Sequence, residues 1–327
     1  MKPLSFAAAA LTLALAAPAS SHADSFDFAL FHPERNAWTP TLKWWADELE
    51  KQSAGRIQFK LHFAGALVSQ AETFKAVRDG AVPAGQISAG TISGQIPAMG
   101  YLEAIGGLPD DPDKFTAAMA EARPVVADLM GRQGVQYLWE QSSGALIVLC
   151  RDKFLKTTAD WKGKKVRTAG RWQAEQIRAL GSAAVAMDPA EQYLGLQNRT
   201  IDCALSINVL ALSLKLYEVA PYITDLRLPV NVVFYIMNKG MYDKLSAPDR
   251  AAAEKLGAEG EKRSAHFLAQ SSNEAAEQMK AQKAQFYRLN EAELAEFRKG
   301  IAPAFAKMDA ETGADGKRIA DVVKKYW

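Results

Sequence analysis

The sequence predicts an α/β protein built as two lobes, with helices gathered at its C-terminal end. Three observations carry this. Short apolar strands alternate with amphipathic helices from about residue 24 to residue 90, and the pattern begins again after about residue 135; such a β-α-β rhythm belongs to largely parallel sheets covered by helices. A chain of 327 residues suggests about two domains. From Pro248 onward Ala, Glu, Lys and Gln dominate, and strand patterning gives way to helix.

The chain opens "MKPLSFAAAALTLALAAPASSHADS". Lys2 is a short basic region, Phe6 to Ala17 an apolar run, and Ser21-His22-Ala23 puts small residues where a signal peptidase reads. The expectation is a secretory leader, residues 1–23, cleaved after Ala23. The apolar run falls short of the roughly 20 residues a membrane span needs. An exported, periplasmic protein follows. The formal charge of +2 drops by one with Lys2, and so near-neutral a chain argues against nucleic acid as a partner.

"SFDFALF" alternates as a strand. Residues 41–53 read as a helix, with Leu42, Trp45, Ala46 and Leu49 on one face and Gly55 as the stop. "RIQFKLHF" alternates again. Ser69 and Glu72 have capping-box spacing for a helix running to Gly80, and "QISAG" is a short buried strand. The second round holds "VQYLWEQSSGALIVLC", "KKVRTAG", a helix over 173–180, and a helix opened by Asp188-Pro189 that ends near Asn198. "TIDCALSI" is the next strand, 209–219 a helix, and "VNVVFYIMN" a buried strand. A long helix then runs from Pro248 to about Phe286, followed by helices near 291–310 and 315–326.

Catalytic and metal signatures are missing from the sequence. His32, His62 and His266 lie far apart, and there is no H-E-x-x-H, C-x-x-C, G-x-S-x-G, P-loop or G-x-G-x-x-G after a strand. No cofactor and no enzymatic activity are expected. Cys150 and Cys203 are either a disulfide, as an oxidising compartment allows, or buried free thiols on neighbouring strands.

The informative stretch is "GKKVRTAGRW", residues 163–172. Lys165 and Arg167 share one strand face, and Arg167 comes at the strand's far end, before Thr168-Ala169-Gly170. Ligands in open α/β sheets bind beyond the carboxyl ends of strands, and a guanidinium there presents a planar fork that matches a carboxylate. A surface arginine paired with an acid is the alternative.

Several segments, in order, resemble the extracytoplasmic solute-binding proteins of tripartite ATP-independent periplasmic (TRAP) transporters, the DctP type. They are "WADELEKQSAGRIQFKLHFAGAL", "ETFKAVRDGAV", "DWKGKKVRTAG", "MDPAEQYLGLQNRTIDCA" and "LKLYEVAPYITD". The resemblance implies a periplasmic binding protein-like fold, two α/β lobes around a ligand cleft, with crossing strands and a long C-terminal bracing helix. It divides the chain into lobe I (24–143 with about 230–270) and lobe II (144–229 with about 271–327). It implies a small-molecule carboxylate as ligand, TRAP permease subunits as partners, and a monomer, although dimerisation through the long helix occurs in the family. It puts the family's carboxylate-binding arginine on Arg167. Other cleft positions fall on His32, Asn36, Ser88, Trp172, Ser206, Asn208, Asn231 and Phe234. A second family arginine falls on Leu146, with Arg151 as a possible substitute. Cys203 stands where the family usually has a glycine after "VD", and "EAIGGLPDD" where many members read "LPF". Together these departures point to a monocarboxylate with an apolar or aromatic body. The ligand protein of an ABC-type importer or of a sensory system, and less readily an exported enzyme, are the rival readings.

Overall fold

A computed structural model describes residues 24–109, 111–142, 144–229 and 232–326. The leader expected at residues 1–23 lies outside them. The chain first runs β1 (Asp24–Ala29), α1 (Thr39–Gln52), β2 (Ile57–His62), α2 (Gln70–Arg78), β3 (Ala84–Ser88), the short α3 (Ala89–Ile92) and α4 (Gly100–Glu103), α5 (Pro112–Gly131) and β4 (Val135–Ser142). It then crosses into β5 (Ala145–Cys150), α6 (Thr158–Trp161), β6 (Lys165–Thr168), α7 (Arg171–Ala179), β7 (Ala183–Ala186), α8 (Gln192–Gln197), β8 (Cys203–Ile207), α9 (Asn208–Ser213) and β9 (Tyr222–Pro229). It returns through β10 (Val232–Asn238), α10 (Lys239–Lys244), α11 (Ala247–Ala281), β11 (Gln285–Arg288) and α12 (Glu291–Val323).

Two mixed sheets result. Sheet I has the order β2-β1-β3-β10-β4 and sheet II the order β11-β9-β5-β8-β6-β7. Strands β1, β2 and β3 are parallel, and β10 runs antiparallel between β3 and β4. In sheet II, β6 is parallel to β7 and β8, while β5 is antiparallel to β8 and β9. The two crossings, β4 to β5 and β9 to β10, join the lobes, so two α/β lobes with crossing strands is the observed architecture.

The sequence patterns explain the main elements. Leu42, Trp45, Ala46 and Leu49 bury one face of α1, and Trp45 stacks on Phe59 of β2 with ring centroids 5.2 Å apart. All 5 residues of β3 are buried, as expected of a strand covered on both faces. Helix α11, 35 residues and so roughly 50 Å long, spans both lobes. Its Gly257 and Gly260 let Trp139 of β4 come close, and farther along its Ser272 accepts a hydrogen bond from Asn208 of α9 at 3.2 Å. Helix α12 packs on α4 and α5 on one side and α7 on the other. It combines the two last helices read from the sequence, broken at Gly313 (φ 59°).

Several readings change. Helix α5 is a 20-residue helix in a stretch read without one, although Asp111 before Pro112 is a visible cap and accepts from the amides of Asp113 and Lys114. The helix expected over 209–219 breaks at Lys215, whose φ is +58°. The long helix ends at Ala281, and residues 285–288 instead form an edge strand. Ser69 does not close a capping box: its hydroxyl donates to Glu72 at 3.2 Å and caps no backbone amide. Cys150 and Cys203 stand opposite each other on β5 and β8 and form a disulfide, which settles the open alternative. No helix among the described residues is long and apolar enough to cross a membrane.

Candidate functional site

Between the sheets, at the carboxyl ends of β3, β6 and β8, lies a cavity of about 50 Å³. Phe31, Trp38, Leu146, Leu210 and Val233 make its walls apolar, and Gln70, Ser88, Arg167, Gln173 and Ser206 supply its polar groups. Residues from both lobes line it. Small-molecule pockets usually measure about 300–1,000 Å³, so a whole solute enters only if the lobes part or the walls move.

Arg167 is the charged group of this cavity. Strand β6 buries it, 4 % exposed, while Lys165 on the same face stays in solvent. The surface-arginine alternative therefore fails. Arg167 Nε donates to the carbonyl of Met187 at 2.9 Å and Nη1 to that of Leu205 at 3.1 Å. Nη2 has no hydrogen-bond partner among the described residues. Burial lowers the guanidinium's pKa to about 10, against the attraction of Asp188, so it remains a cation at neutral pH. The hydroxyls of Ser88 and Ser206 are buried without a partner. Buried polar groups are normally satisfied. One fixed cation and two unsatisfied hydroxyls thus face an apolar cavity, chemistry suited to a small anion with an apolar body.

Arg167, Ser88 and Ser206 are thus brought together, whereas the other expected residues are placed elsewhere. Phe234 lies one position along β10 from the cavity and packs edge-on against Tyr137 in the lobe I core; Val233 faces the cleft instead. Trp172 is buried beside Gly100 and Met308. Asn36 bridges the lobes, donating to Val209 O at 3.2 Å and Ser213 Oγ at 3.0 Å. Asn208 lines a different cavity, of about 400 Å³, under α11. Asn231 lies outside the described residues. Leu146 lines the cavity, but Arg151 cannot replace an arginine there. It follows the opposite end of β5, its backbone amide donating to the carbonyl of Asp202, roughly 16 Å away at a strand's rise per residue. Sequence reasoning missed Trp38, Gln70 and Gln173, whose only signal is their place beside the first strand–helix loop or a helix N-terminus.

His32 stands behind the cavity wall, fully buried. Its Nδ1 donates to Gln86 Oε1 at 2.5 Å, which makes Nε2 the acceptor from Thr39 at 3.2 Å. Burial lowers its pKa from 6.5 to about 4, so it is neutral at pH 7. Two buried carboxyls move the other way. Glu103 of α4 accepts from the amides of Trp172 and Gln173, at 3.0 and 3.1 Å, and so joins lobe I to the first turn of α7 in lobe II. Burial raises its pKa, and that of Glu140, from 4.5 to about 7. Each therefore contributes stability that is complete below pH 4.5 and is lost as the pH rises through 7. Glu140→Gln is expected to leave stability unchanged near pH 4 and raise it at pH 8 by up to about 3 kcal/mol. Urea denaturation at both values checks this, and an equal gain at both would count against burial as the cause.

The comparisons with known proteins agree with this architecture. The model of the DctP family, described as bacterial extracellular solute-binding protein, family 7, matches residues 28–312. A solute-binding protein of Albidiferax ferrireducens is 27 % identical over 225 residues, covering 66 % of this chain and 65 % of its own length, somewhat less than two thirds. Among solved structures, the Bordetella pertussis extracytoplasmic solute receptor DctP7, binding pyroglutamic acid, superposes with a TM-score of 0.86 at 19 % identity, covering 92 % of this chain and 100 % of that one. A TRAP periplasmic solute-binding protein from Roseobacter denitrificans with bound β-D-glucuronate gives 0.86 at 22 % identity, over 92 % and 99 %. With the two-lobed fold, the cleft between the sheets and a family match over most of the chain, this protein belongs to the DctP family of bacterial extracellular solute-binding proteins.

Proposed function

We propose that this protein is the periplasmic receptor of a TRAP transporter, capturing a small organic monocarboxylate with a compact apolar body and delivering it to permease subunits in the membrane. The observation that carries this is Arg167, a buried cation with an unpartnered nitrogen in an apolar cavity between the lobes. Its fork binds the carboxylate, Ser88 and Ser206 donate to the same group or a neighbouring oxygen, and Phe31, Trp38, Leu146 and Leu210 enclose the body. The solved relatives named above hold pyroglutamic acid and glucuronate, both carboxylic acids. Leu146 in the cavity wall favours a less polar acid than a sugar acid.

In this reading residues 1–23 direct export and are removed. The receptor works as a monomer without catalysis, and its lobes (24–143 with 230–270, and 144–229 with 271–327) move about the two crossings. The test is a thermal-shift screen of the chain from Asp24 against small organic acids, sugars and amino acids. At 100 times Kd a ligand adds about 2.7 kcal/mol of stability, a shift of a few degrees. Shifts by apolar monocarboxylates, and none by their amides, are expected. A response to neutral solutes alone would remove the carboxylate reading.

A further inference from the structure

We propose that Asp188 is a positioning residue that latches the two lobes together around the bound solute, by capping helix α2 from across the cleft. The inference rests on the capture of a carboxylate at Arg167 proposed above.

Helix α2 belongs to lobe I and begins beside the cavity, which Gln70, its first residue, lines. The first amides of a helix have no partner within it and need one from outside. Ser69, the residue placed to supply it, makes no cap, because its hydroxyl is turned to Glu72. The partner comes from lobe II. Asp188 Oδ1 accepts from the amide of Ala71 at 3.2 Å, across 117 residues of sequence. A carboxylate at this position also meets the positive end of the helix dipole.

The same residue is tied to the ligand site from its own side. The carbonyl of Met187, one residue earlier, holds Arg167 Nε at 2.9 Å, and Pro189, one residue later, lines the cavity. Asp188 attracts the Arg167 guanidinium without forming an ion pair with it. The free edge of the arginine is therefore left for a ligand carboxylate, and α2 takes up the negative charge of Asp188. A carboxylate on Arg167 fixes the guanidinium, the guanidinium fixes Met187, and Asp188 is held where the Ala71 amide reaches it. This bond forms only when the lobes are together, so it stabilises the closed state and not the open one.

A bond made after encounter acts on release rather than capture. Asp188→Ala is expected to raise the dissociation rate of the bound solute about 10- to 100-fold, the range of one charge-assisted hydrogen bond. The association rate should stay within about threefold. Asp188 also opens its own helical turn, Pro189–Glu191, so without solute the melting temperature should fall only by the few degrees of one lost cap, and with solute bound it should fall further. Asp188→Asn keeps an acceptor oxygen and should recover part of the loss. Stopped-flow binding and release, with any solute that shifts the wild type, reads these rates beside Arg167→Ala. If Arg167→Ala abolishes binding while Asp188→Ala releases solute at the wild-type rate, the latch is refuted and the carboxylate site stands. If Asp188→Ala lowers the melting temperature equally with and without solute, Asp188 is only a fixed structural cap, and the latch is refuted in that case too. If a neutral solute binds wild type and Arg167→Ala alike, the carboxylate site fails, and the release rate from Asp188→Ala still decides the latch.

Discussion

Arg167→Ala is expected to lower carboxylate affinity by at least 100-fold, to the edge of detection for a micromolar ligand. The magnitude follows from the two parallel hydrogen bonds a guanidinium makes to a carboxylate, each charge-assisted and worth about 1.5–3 kcal/mol net. Arg167→Lys should recover little. An ammonium is a point charge without the fork, and the carbonyls of Met187 and Leu205, now at 2.9 and 3.1 Å from Nε and Nη1, would compete for its donors. Titration calorimetry of both variants with the best acid from the screen checks this. An affinity within tenfold of wild type for Arg167→Ala would mean that the solute is held by the serines and amides and that the arginine serves only to join β6 to residues 187 and 205.

The architecture was legible because burial leaves periodic marks. The faces of α1 and β2, the buried β3 and the far-end position of Arg167 were all visible as spacing. What failed was information the chain does not carry locally. Phe234 and Val233 differ only in which face of β10 meets the cleft, and a one-residue shift reverses that assignment. Asn36 and Asn208 lie near the cleft in sequence terms, yet each is used in contacts with α9 or α11. Ser69 and Glu72 have capping-box spacing, but the amide of Ala71 is satisfied by Asp188 from the other lobe. Strands β7, β9 and β11 were passed over because two are only 4 residues long and β9 carries Asp225 and Arg227 inside its run. The disulfide depended on β5 and β8 being neighbours, a fact of topology rather than of sequence.

Gly170→Ala is expected to prevent closure and to cost about 1,000-fold in affinity. Gly170 has φ −153° and ψ −173°, an extended conformation open to any residue. The substitution should therefore leave lobe II folded. What it cannot accommodate is the other lobe. A Cβ on Gly170 would run into the carbonyl oxygen of Gly90 and the carboxylate of Glu103, both far inside any tolerated contact. Gly90 follows Ser88 at the end of β3, and Gly170 follows Arg167 at the end of β6, so two glycines let the lobes' backbones meet beside the cavity. With that approach blocked, a solute keeps only its lobe II contacts. If the lobes share binding equally, half of the roughly 8 kcal/mol of a micromolar complex is lost, about 1,000-fold. Small-angle scattering with and without solute separates the possibilities. A variant that neither contracts nor binds supports lobes that meet at this point on closure. A variant that unfolds would show that the Gly90–Gly170 contact belongs to the permanent scaffold, with the hinge line on the cavity side of it. In that event Glu103 would hold α7 in every state of the protein, and its stabilising contribution below pH 4.5 would be independent of solute.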